Sequence, residues 1–272
     1  MRRRLLAALL CPWFLVTAGT PAAASAGPAA VSIRHRVSYA ALGDSVASGQ
    51  GAGRYDPDSR RCLRSSGAHP ALWAAGHHPA RFVFAACSGA KTSDVVKSQL
   101  DAVDSQVTLV SVTVGANDVG FADVMTTCTL GNEQSCLDQV ARAEKAVQRT
   151  LPGRLDAVYR AIKGRAGRAR VVALGLPRLF GPEGCRVGLM TKRGERALNR
   201  AADHLNAVTR GRAHAHGLVF GDVAPAFARH GICSEDPWIN APSLLHMDGA
   251  YHPNAEGQRL GYLPVLAAAA RS

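Results

Sequence analysis

The sequence predicts a single α/β domain whose parallel sheet is covered by helices on both faces. Short apolar segments recur along the chain, helical patterns lie between them, and no internal repeat or linker divides them. Strands that alternate with helices form parallel sheets, which are buried on both faces. In such sheets ligands bind beyond the carboxyl ends of the strands, so functional residues are expected there.

Five segments have the composition of buried strands. The first is followed at once by a glycine-rich turn, the third is rich in β-branched residues, and the fifth is the weakest. The predicted strands span residues 37–42, 80–86, 107–115, 169–177 and 217–223.

Three segments show helical periodicity. Residues 136–151 and 196–215 carry apolar side chains near a 3.6-residue period, although Glu144 interrupts the first stripe. A third helix is predicted over 254–270, with Asn254 as its N-cap and a kink or shortening at Pro264.

The first 26 residues have the pattern of a secretory signal peptide. Three arginines are followed by the apolar stretch LLAALLCPWFLV and by the small-residue cleavage site ASA. The apolar stretch is shorter than the roughly 20 residues that a membrane span needs. We therefore predict a removed signal peptide over 1–26, a loose lead-in over 27–36, and a secreted single domain over 37–272.

The formal net charge of +12 is compatible with nucleic acid, an acidic wall polymer or an anionic lipid surface as a partner. The basic residues are scattered, with no aromatic residues interleaved, which is typical of a solvated basic surface rather than a nucleic-acid site. Transient contact with a lipid surface is compatible with this charge, and a monomer is the default expectation.

Six cysteines follow the signal segment, an even number that predicts disulfides in an exported chain. No CxxC pair is present, which disfavours a zinc site. Nearest-neighbour pairing is expected because each bridge would then hold one loop region. The predicted pairs are Cys62 with Cys87, Cys128 with Cys136, and Cys185 with Cys233.

Polar residues and glycines follow the first three predicted strands. Ser45 follows the first in GDS, Gly89 follows the second in CSGA, and Asn117 and Asp118 follow the third in GAND. A serine hydroxyl is a nucleophile only beside a base. The oxyanion that its attack creates needs fixed donors, for which glycine N–H groups and an asparagine amide are suited. Asp118 is expected to brace the turn that holds Asn117.

The segment HMDGAYHPNAEG near the C-terminus supplies candidate bases. His252 precedes a Pro-Asn pair, whereas His246 does not and is the weaker candidate. His214 and His216 form an HAH pair that could bind a metal, but a solvated helix end is favoured because no carboxylate or cysteine cluster accompanies them.

The blocks GDSVASG, CSGA, GAND and HPNAEGQ, in this order between residues 43 and 258, resemble those of the SGNH/GDSL hydrolase family, in particular its secreted bacterial lipase and esterase branch. The resemblance implies a flavodoxin-like three-layer α/β/α sandwich with a mainly five-stranded parallel sheet, and a reaction without metal or cofactor. A G-x-S-x-G elbow is missing around Ser45, which disfavours the α/β-hydrolase version of this chemistry.

The resemblance also implies roles for individual residues. Ser45 would be the nucleophile and His252 the general base, with the Ser45 N–H, the Gly89 N–H and the Asn117 side chain forming the oxyanion hole. The family usually has Asp three residues before the histidine, but here Asp248 lies four residues before it. Asp248 is weakly favoured as the group that orients His252. A main-chain carbonyl near residue 249 is the alternative.

The implied function is hydrolysis of carboxylic esters through an acyl-enzyme, with small-molecule or lipid esters as substrates. Acyl lipid esters are favoured, because the chain has few aromatic residues for a stacked sugar platform. Acetylated carbohydrates, phospholipase A or acyltransferase chemistry on the same site, and a peptidase remain alternatives. A non-catalytic secreted binding module is a distant one.

Overall fold

The computed structural model describes residues 37–185, 187–243 and 247–271. Within them lies a sheet of five parallel strands in the order β2-β1-β3-β4-β5. The strands are β1 (Ser38–Gly43), β2 (Arg81–Phe84), β3 (Leu109–Thr113), β4 (Arg170–Leu174) and β5 (Val219–Gly221). This is the flavodoxin-like order, in which the direction of winding reverses between β1 and β3. The predicted signal peptide and lead-in lie outside the described residues, as does His246.

Helices connect the strands and cover both faces of the sheet. They are α1 (Ser45–Ser48), α2 (His69–His77), α3 (Thr92–Asp94), α4 (Phe121–Leu130), α5 (Glu133–Arg149), α6 (Leu151–Arg165), α7 (Lys192–Ala215) and α8 (Leu263–Arg271). Short 3₁₀ turns span Pro57–Cys62, Leu100–Ala102, Asn117–Val119 and Met247–Gly249, and π-helical turns span Val95–Gln99 and Gly257–Tyr262.

Alternate side chains of the strands enter two separate cores. In β1, Tyr39 packs into the core that contains Trp73 of α2, whereas Leu42 packs into the core that contains Leu155 and Ile162 of α6. Successive strand side chains point to opposite faces of a sheet, so both faces must be covered to bury them. The molecule is therefore a three-layer α/β/α sandwich, as expected.

The five predicted strands are confirmed: β1 has the predicted length but lies one residue later, and the other four are shorter than predicted by three or four residues. Two of the predicted helices extend beyond their predicted starts. The Asn132 side chain accepts the Ser135 N–H at 2.9 Å and caps α5, and Thr191 caps α7 by accepting the Gly194 N–H at 3.2 Å. Helices α2, α4 and α6 were not predicted. Two of them, α2 and α6, begin with Pro near the first position, which breaks an apolar pattern but suits a helix start.

The C-terminal helix begins as expected at Asn254, whose Oδ1 accepts the Gly257 N–H at 2.9 Å. It starts with a π-helical segment and becomes regular in α8. Pro264 is the second residue of α8, directly after the π-helical segment, so the helix continues through the proline with a change of helix type before it. None of the described helices is long and apolar enough to cross a membrane.

Three disulfides join the nearest-neighbour pairs. They are Cys62–Cys87, Cys128–Cys136 and Cys185–Cys233. The first ties the 3₁₀ turn after β1 to the loop after β2, and the second joins α4 to α5. Each bridge therefore restrains a loop region at the carboxyl side of the sheet or beside it.

Candidate active site

Ser45 lies directly after β1, at the first position of the four-residue helix α1. Asp44 is the N-cap of that helix. Its carboxylate accepts the Val46 N–H at 3.1 Å and the Thr113 hydroxyl of β3 at 2.9 Å. Because the carboxyl is buried, its pKa is raised to about 6, and the two donors act against that rise. Asp44 thus fixes the turn that presents Ser45.

His252 contacts Ser45 although 207 positions separate them in the chain. The distance from His252 Nε2 to Ser45 Oγ is 2.8 Å, and that from His252 Nδ1 to the Ala250 carbonyl oxygen is 2.8 Å. A carbonyl can only accept, so Nδ1 carries the proton of the neutral imidazole. Nε2 is then free to accept the Ser45 hydroxyl, which is the arrangement that proton removal requires.

Burial lowers the pKa of His252 below its ordinary value of 6.5, and the hydrogen bond to Ala250 acts in the opposite direction. The imidazole is consequently neutral at pH 7. A neutral imidazole beside a serine hydroxyl can act as a general base.

The partner of His252 Nδ1 differs from the one that the sequence favoured. Asp248 is exposed, and its main-chain oxygen accepts a hydrogen bond from Gln50 Nε2. Tyr251 adopts a left-handed conformation, with φ of 62°, and the His252 N–H donates to the Gly249 carbonyl at 3.2 Å. This tight turn places the Ala250 carbonyl within hydrogen-bond distance of the imidazole. It corresponds to the alternative in which a main-chain carbonyl, rather than Asp248, orients His252.

The loop that carries His252 is held by a residue that sequence reasoning missed. Asn240 accepts the Tyr251 N–H at 2.8 Å and donates its own N–H to the His252 carbonyl at 2.9 Å. Its side-chain Nδ2 donates to the Gly51 carbonyl at 3.0 Å. Asn240 stands in an ordinary loop sequence, so no motif could have identified it.

The surroundings of Gly51 explain why one of the residues after Ser45 is a glycine. Its φ is 92°, and a Cβ at this position would lie 3.0 Å from His252 Cβ. The preceding residue, Gln50, was also missed, and it bonds both Asp248 and the Ser88 hydroxyl. The segment after Ser45 therefore approaches the histidine loop closely, and a larger side chain at Gly51 would displace it.

The predicted oxyanion donors surround the end of β1. Gly89 has a left-handed φ of 77°, and Asn117 Nδ2 donates to the Ala90 carbonyl at 3.0 Å. Since an amide nitrogen carries two hydrogens, one remains for a substrate oxygen. Within the described part of the chain, the main-chain N–H groups of Ser45 and Gly89 donate to no other protein group. Three donors are thus available on neighbouring strand ends.

Asp118 joins the loops that follow β2 and β3. Its carboxylate accepts the Thr92 N–H at 2.9 Å and the Thr92 hydroxyl at 2.6 Å, and Arg154 lies 3.3 Å away. These bonds hold the turn that contains Asn117 against the segment after Gly89. This is the bracing arrangement expected for Asp118.

A cavity of about 100 Å³ opens beside Ser45 and His252, and its walls are mostly apolar. Phe121, whose ring centroid lies 6.2 Å from that of His252, marks the end near the reacting groups. The other wall residues come from α4, α5, α7 and the loop after β4. They include Val124, Met125, Ala143, Glu144, Val147, Leu176, Leu179, Leu198, Ala201, Ala202 and Leu205.

The pair His214 and His216 does not line this cavity. His216 Nε2 lies 2.9 Å from Asp156 Oδ1, and His214 is exposed in the last turn of α7. Among the described residues, no group of three or more His, Cys, Asp or Glu side chains is placed to hold a metal ion.

Comparison with known proteins assigns this arrangement to a family. Residues 41–260 match the model of the GDSL-like lipase/acylhydrolase family. A lipase of Streptomyces rimosus is 51% identical over 251 residues, covering 91% of this chain and 93% of that protein. The crystal structure of an extracellular lipase from the same organism superposes with a TM-score of 0.83 at 51% identity, covering 86% of this chain and 99% of the other.

Another solved structure is of a relative with a more specific name. The crystal structure of phospholipase A1 from Streptomyces albidoflavus NA297 superposes with a TM-score of 0.84 at 49% identity, again covering 86% of this chain and 99% of that one. The serine, the histidine and the donors on neighbouring strand ends all lie within the matched residues. The chain therefore belongs to the GDSL-like lipase/acylhydrolase family and is a carboxylic ester hydrolase.

Proposed function

We propose that Ser45 and His252 form the catalytic dyad of this ester hydrolase. Ser45 Oγ attacks the ester carbonyl carbon while His252 Nε2 takes the hydroxyl proton. The oxyanion that forms accepts hydrogen bonds from the Ser45 and Gly89 N–H groups and from Asn117. His252 then gives the proton to the departing alkoxide, and an acyl-enzyme remains on Ser45.

Water completes the cycle by the same route. His252 takes a proton from a water molecule, which attacks the acyl carbon, and the proton returns to Ser45 Oγ as the carboxylic acid leaves. The Ala250 carbonyl keeps the proton on Nδ1 throughout and so preserves the tautomer that accepts at Nε2. The observation that carries the proposal is the pair of 2.8 Å contacts on either side of the imidazole.

Acyl lipid esters are the substrates that the cavity supports best. Its apolar walls suit an acyl chain, because burying methylene groups there removes them from water. Phospholipase A1 activity is a second candidate, supported by the 49% identity to the Streptomyces albidoflavus enzyme. A monomer that makes transient contact with lipid surfaces fits this assignment.

Secretion is part of the same proposal. The pattern of residues 1–26 and the extracellular Streptomyces rimosus relative support export, followed by removal of the signal peptide. The three disulfides are compatible with an oxidising compartment. A single hydrolase domain over 37–272 would then be the mature enzyme.

The first experiment is turnover of p-nitrophenyl esters from acetyl to hexadecanoyl by the wild type and by Ser45→Ala. We expect the wild type to prefer acyl chains longer than acetyl and the variant to lose at least about 10³-fold in kcat, because the substitution removes the proposed nucleophile. Circular dichroism should show an intact fold in the variant. Retained turnover by Ser45→Ala would remove Ser45 from the mechanism, and a preference for acetyl esters would favour the carbohydrate acetylesterase alternative.

A further inference from the structure

Glu144 interrupts the apolar wall of the cavity beside Ser45. It lies in α5 next to Ala143 and three residues before Val147, both of which also line the cavity. The Glu144 side chain is half-buried, and no hydrogen bond or ion pair joins it to another of the described residues. A carboxylate in this setting depends on water for its solvation.

The facing wall offers no counter-charge. Helix α7 packs against α5 and contributes Leu198, Ala201 and Leu205. No lysine or arginine lines the cavity within the described part of the chain. Ala143 and Ala201 have small side chains and line the cavity together with Glu144, so an acyl chain lying in the cavity would run past Glu144.

The distance of Glu144 from the reacting end can be estimated along α5. Leu151 begins α6, two residues after the end of α5, and packs against Gly115, two residues before Asn117, with 3.2 Å between its Cδ1 and an ideal Cβ on that glycine. Glu144 lies five positions before Arg149, the last residue of α5, and at 1.5 Å per residue this is about 7.5 Å from the end of the helix that approaches Gly115. Short acyl chains end before this point, whereas long ones reach it.

We propose that Glu144 sets the upper limit on acyl-chain length, because a chain that reaches it strips water from an unpaired carboxylate. The proposal rests on the proposed function and names the residue that determines its specificity. Short chains leave Glu144 hydrated and react unhindered. Longer chains gain apolar burial but lose part of that gain to desolvation of the carboxylate.

The test compares kcat/KM for monomeric p-nitrophenyl esters from butanoyl to dodecanoyl in the wild type, Glu144→Leu and Glu144→Gln. In Glu144→Leu, we expect the dodecanoyl-to-butanoyl ratio to rise by about tenfold or more. Glu144→Gln should lie between the other two, since it keeps the shape and removes the charge. Gln148→Leu is the matched control, because it adds the same side chain to an exposed position of α5 that does not line the cavity.

The outcomes separate this proposal from the one it rests on. A wild type without esterase activity would contradict the proposed function itself. An active wild type whose chain-length ratio is unchanged in Glu144→Leu would overturn the role of Glu144 and leave the dyad untouched. An equal rise in Gln148→Leu would also overturn it, because the effect would then come from added surface apolarity. Butanoyl turnover reports whether each variant has folded.

Discussion

At the scale of single residues, His252 depends on a neutral main-chain acceptor. The Ala250 carbonyl fixes the tautomer and the ring orientation of His252. An orienting carboxylate has the same two effects. It adds no full negative charge beside the imidazolium that forms during the reaction. In the proposed dyad, the orientation of the imidazole would therefore depend on a loop conformation rather than on a third ionised side chain.

We predict that Asp248→Asn lowers kcat by less than about fivefold, because the exposed carboxylate does not orient the imidazole. The measurement is steady-state turnover of butanoyl ester, with His252→Gln as the control that should lose nearly all activity. A hundredfold loss in Asp248→Asn would restore the carboxylate as the orienting group, since that corresponds to roughly 3 kcal/mol of transition-state stabilisation.

The pH profile gives the same experiment a second readout. His252 must be neutral to accept a proton, and its pKa is lowered by burial. The value of kcat/KM should therefore rise with pH through a pKa below 6.5 and be constant at neutral pH. Asp248→Asn should leave this acid limb in place, whereas loss of a true carboxylate partner would lower its midpoint.

At the scale of elements, three helices are joined behind the nucleophile. Gln258 in the π-helical turn accepts both the main-chain N–H of His69, at 2.9 Å, and its ring Nδ1–H, at 2.7 Å. Its Nε2 donates to the Val46 carbonyl at 3.0 Å. The His69 ring stacks on Tyr262, with 4.9 Å between centroids. The four-residue helix α1 is thus supported by α2 and by the C-terminal helix.

His69 makes this junction sensitive to acid. Its side chain is 0% exposed, and its Nε2 has no partner among the described residues. Burial lowers its pKa from 6.5 to about 4. Between these values the unfolded chain binds a proton that the folded chain does not, so the stability present above pH 6.5 is lost as the pH falls towards 4.

We predict that His69→Gln removes this part of the acid sensitivity. The difference in free energy of unfolding between wild type and variant should shrink by about 3 kcal/mol from pH 7 to pH 4. Urea unfolding at a series of pH values measures it, and taking the difference between the two proteins cancels the other titrating groups. A difference that stays constant with pH would show that His69 is protonated equally in both states.

At the scale of the whole molecule, two leucines are strongly exposed beside the cavity-lining elements. Leu130 at the end of α4 is 70% exposed and Leu189 is 66% exposed. They lie on neighbouring segments, because the Leu189 N–H donates to the Thr129 carbonyl at 2.8 Å. Helix α4 also carries Val124 and Met125 of the cavity wall. Together with the positive net charge, this favours a lipid surface as the partner.

We predict that the double variant Leu130→Ser, Leu189→Ser binds anionic phospholipid vesicles at least about tenfold more weakly, since each leucine buried in lipid contributes about 1.5–3 kcal/mol. Vesicle co-sedimentation measures this, and turnover of soluble butanoyl ester should be unchanged. Val96→Ser with Leu260→Ser is the matched control, since these two are the other large apolar residues that are exposed in the described part of the chain, at 37% and 38%. Equal losses in both double variants would mean that no particular surface docks.

Local sequence patterns predicted the framework well. The strands are short apolar segments, of which β3 and β4 are rich in β-branched residues, and α5 and α7 repeat apolar residues at helical spacing, so local patterns are sufficient for both. Helix α4 was missed because its inward side includes Cys128 and Thr129, whose burial depends on a disulfide and on a hydrogen bond to Tyr251. The contacts that stabilise such a helix come from distant parts of the chain, where a local pattern carries no information.

The sequence by itself determined the fold class, through its alternating strand and helix patterns, and it indicated the family and the residues to examine, through the order of the blocks that contain Ser45, Gly89, Asn117 and His252. Strand ends and glycine turns are local features of a sequence. Tertiary structure alone decided which group faces His252 Nδ1. The fold of one turn determines whether the Asp248 carboxylate or the Ala250 carbonyl lies beside the ring. It also decided that Asn240 and Gln50 hold that turn and that Glu144 borders the cavity. These relations depend on backbone direction and on contacts between segments far apart in the chain, which no residue pattern specifies.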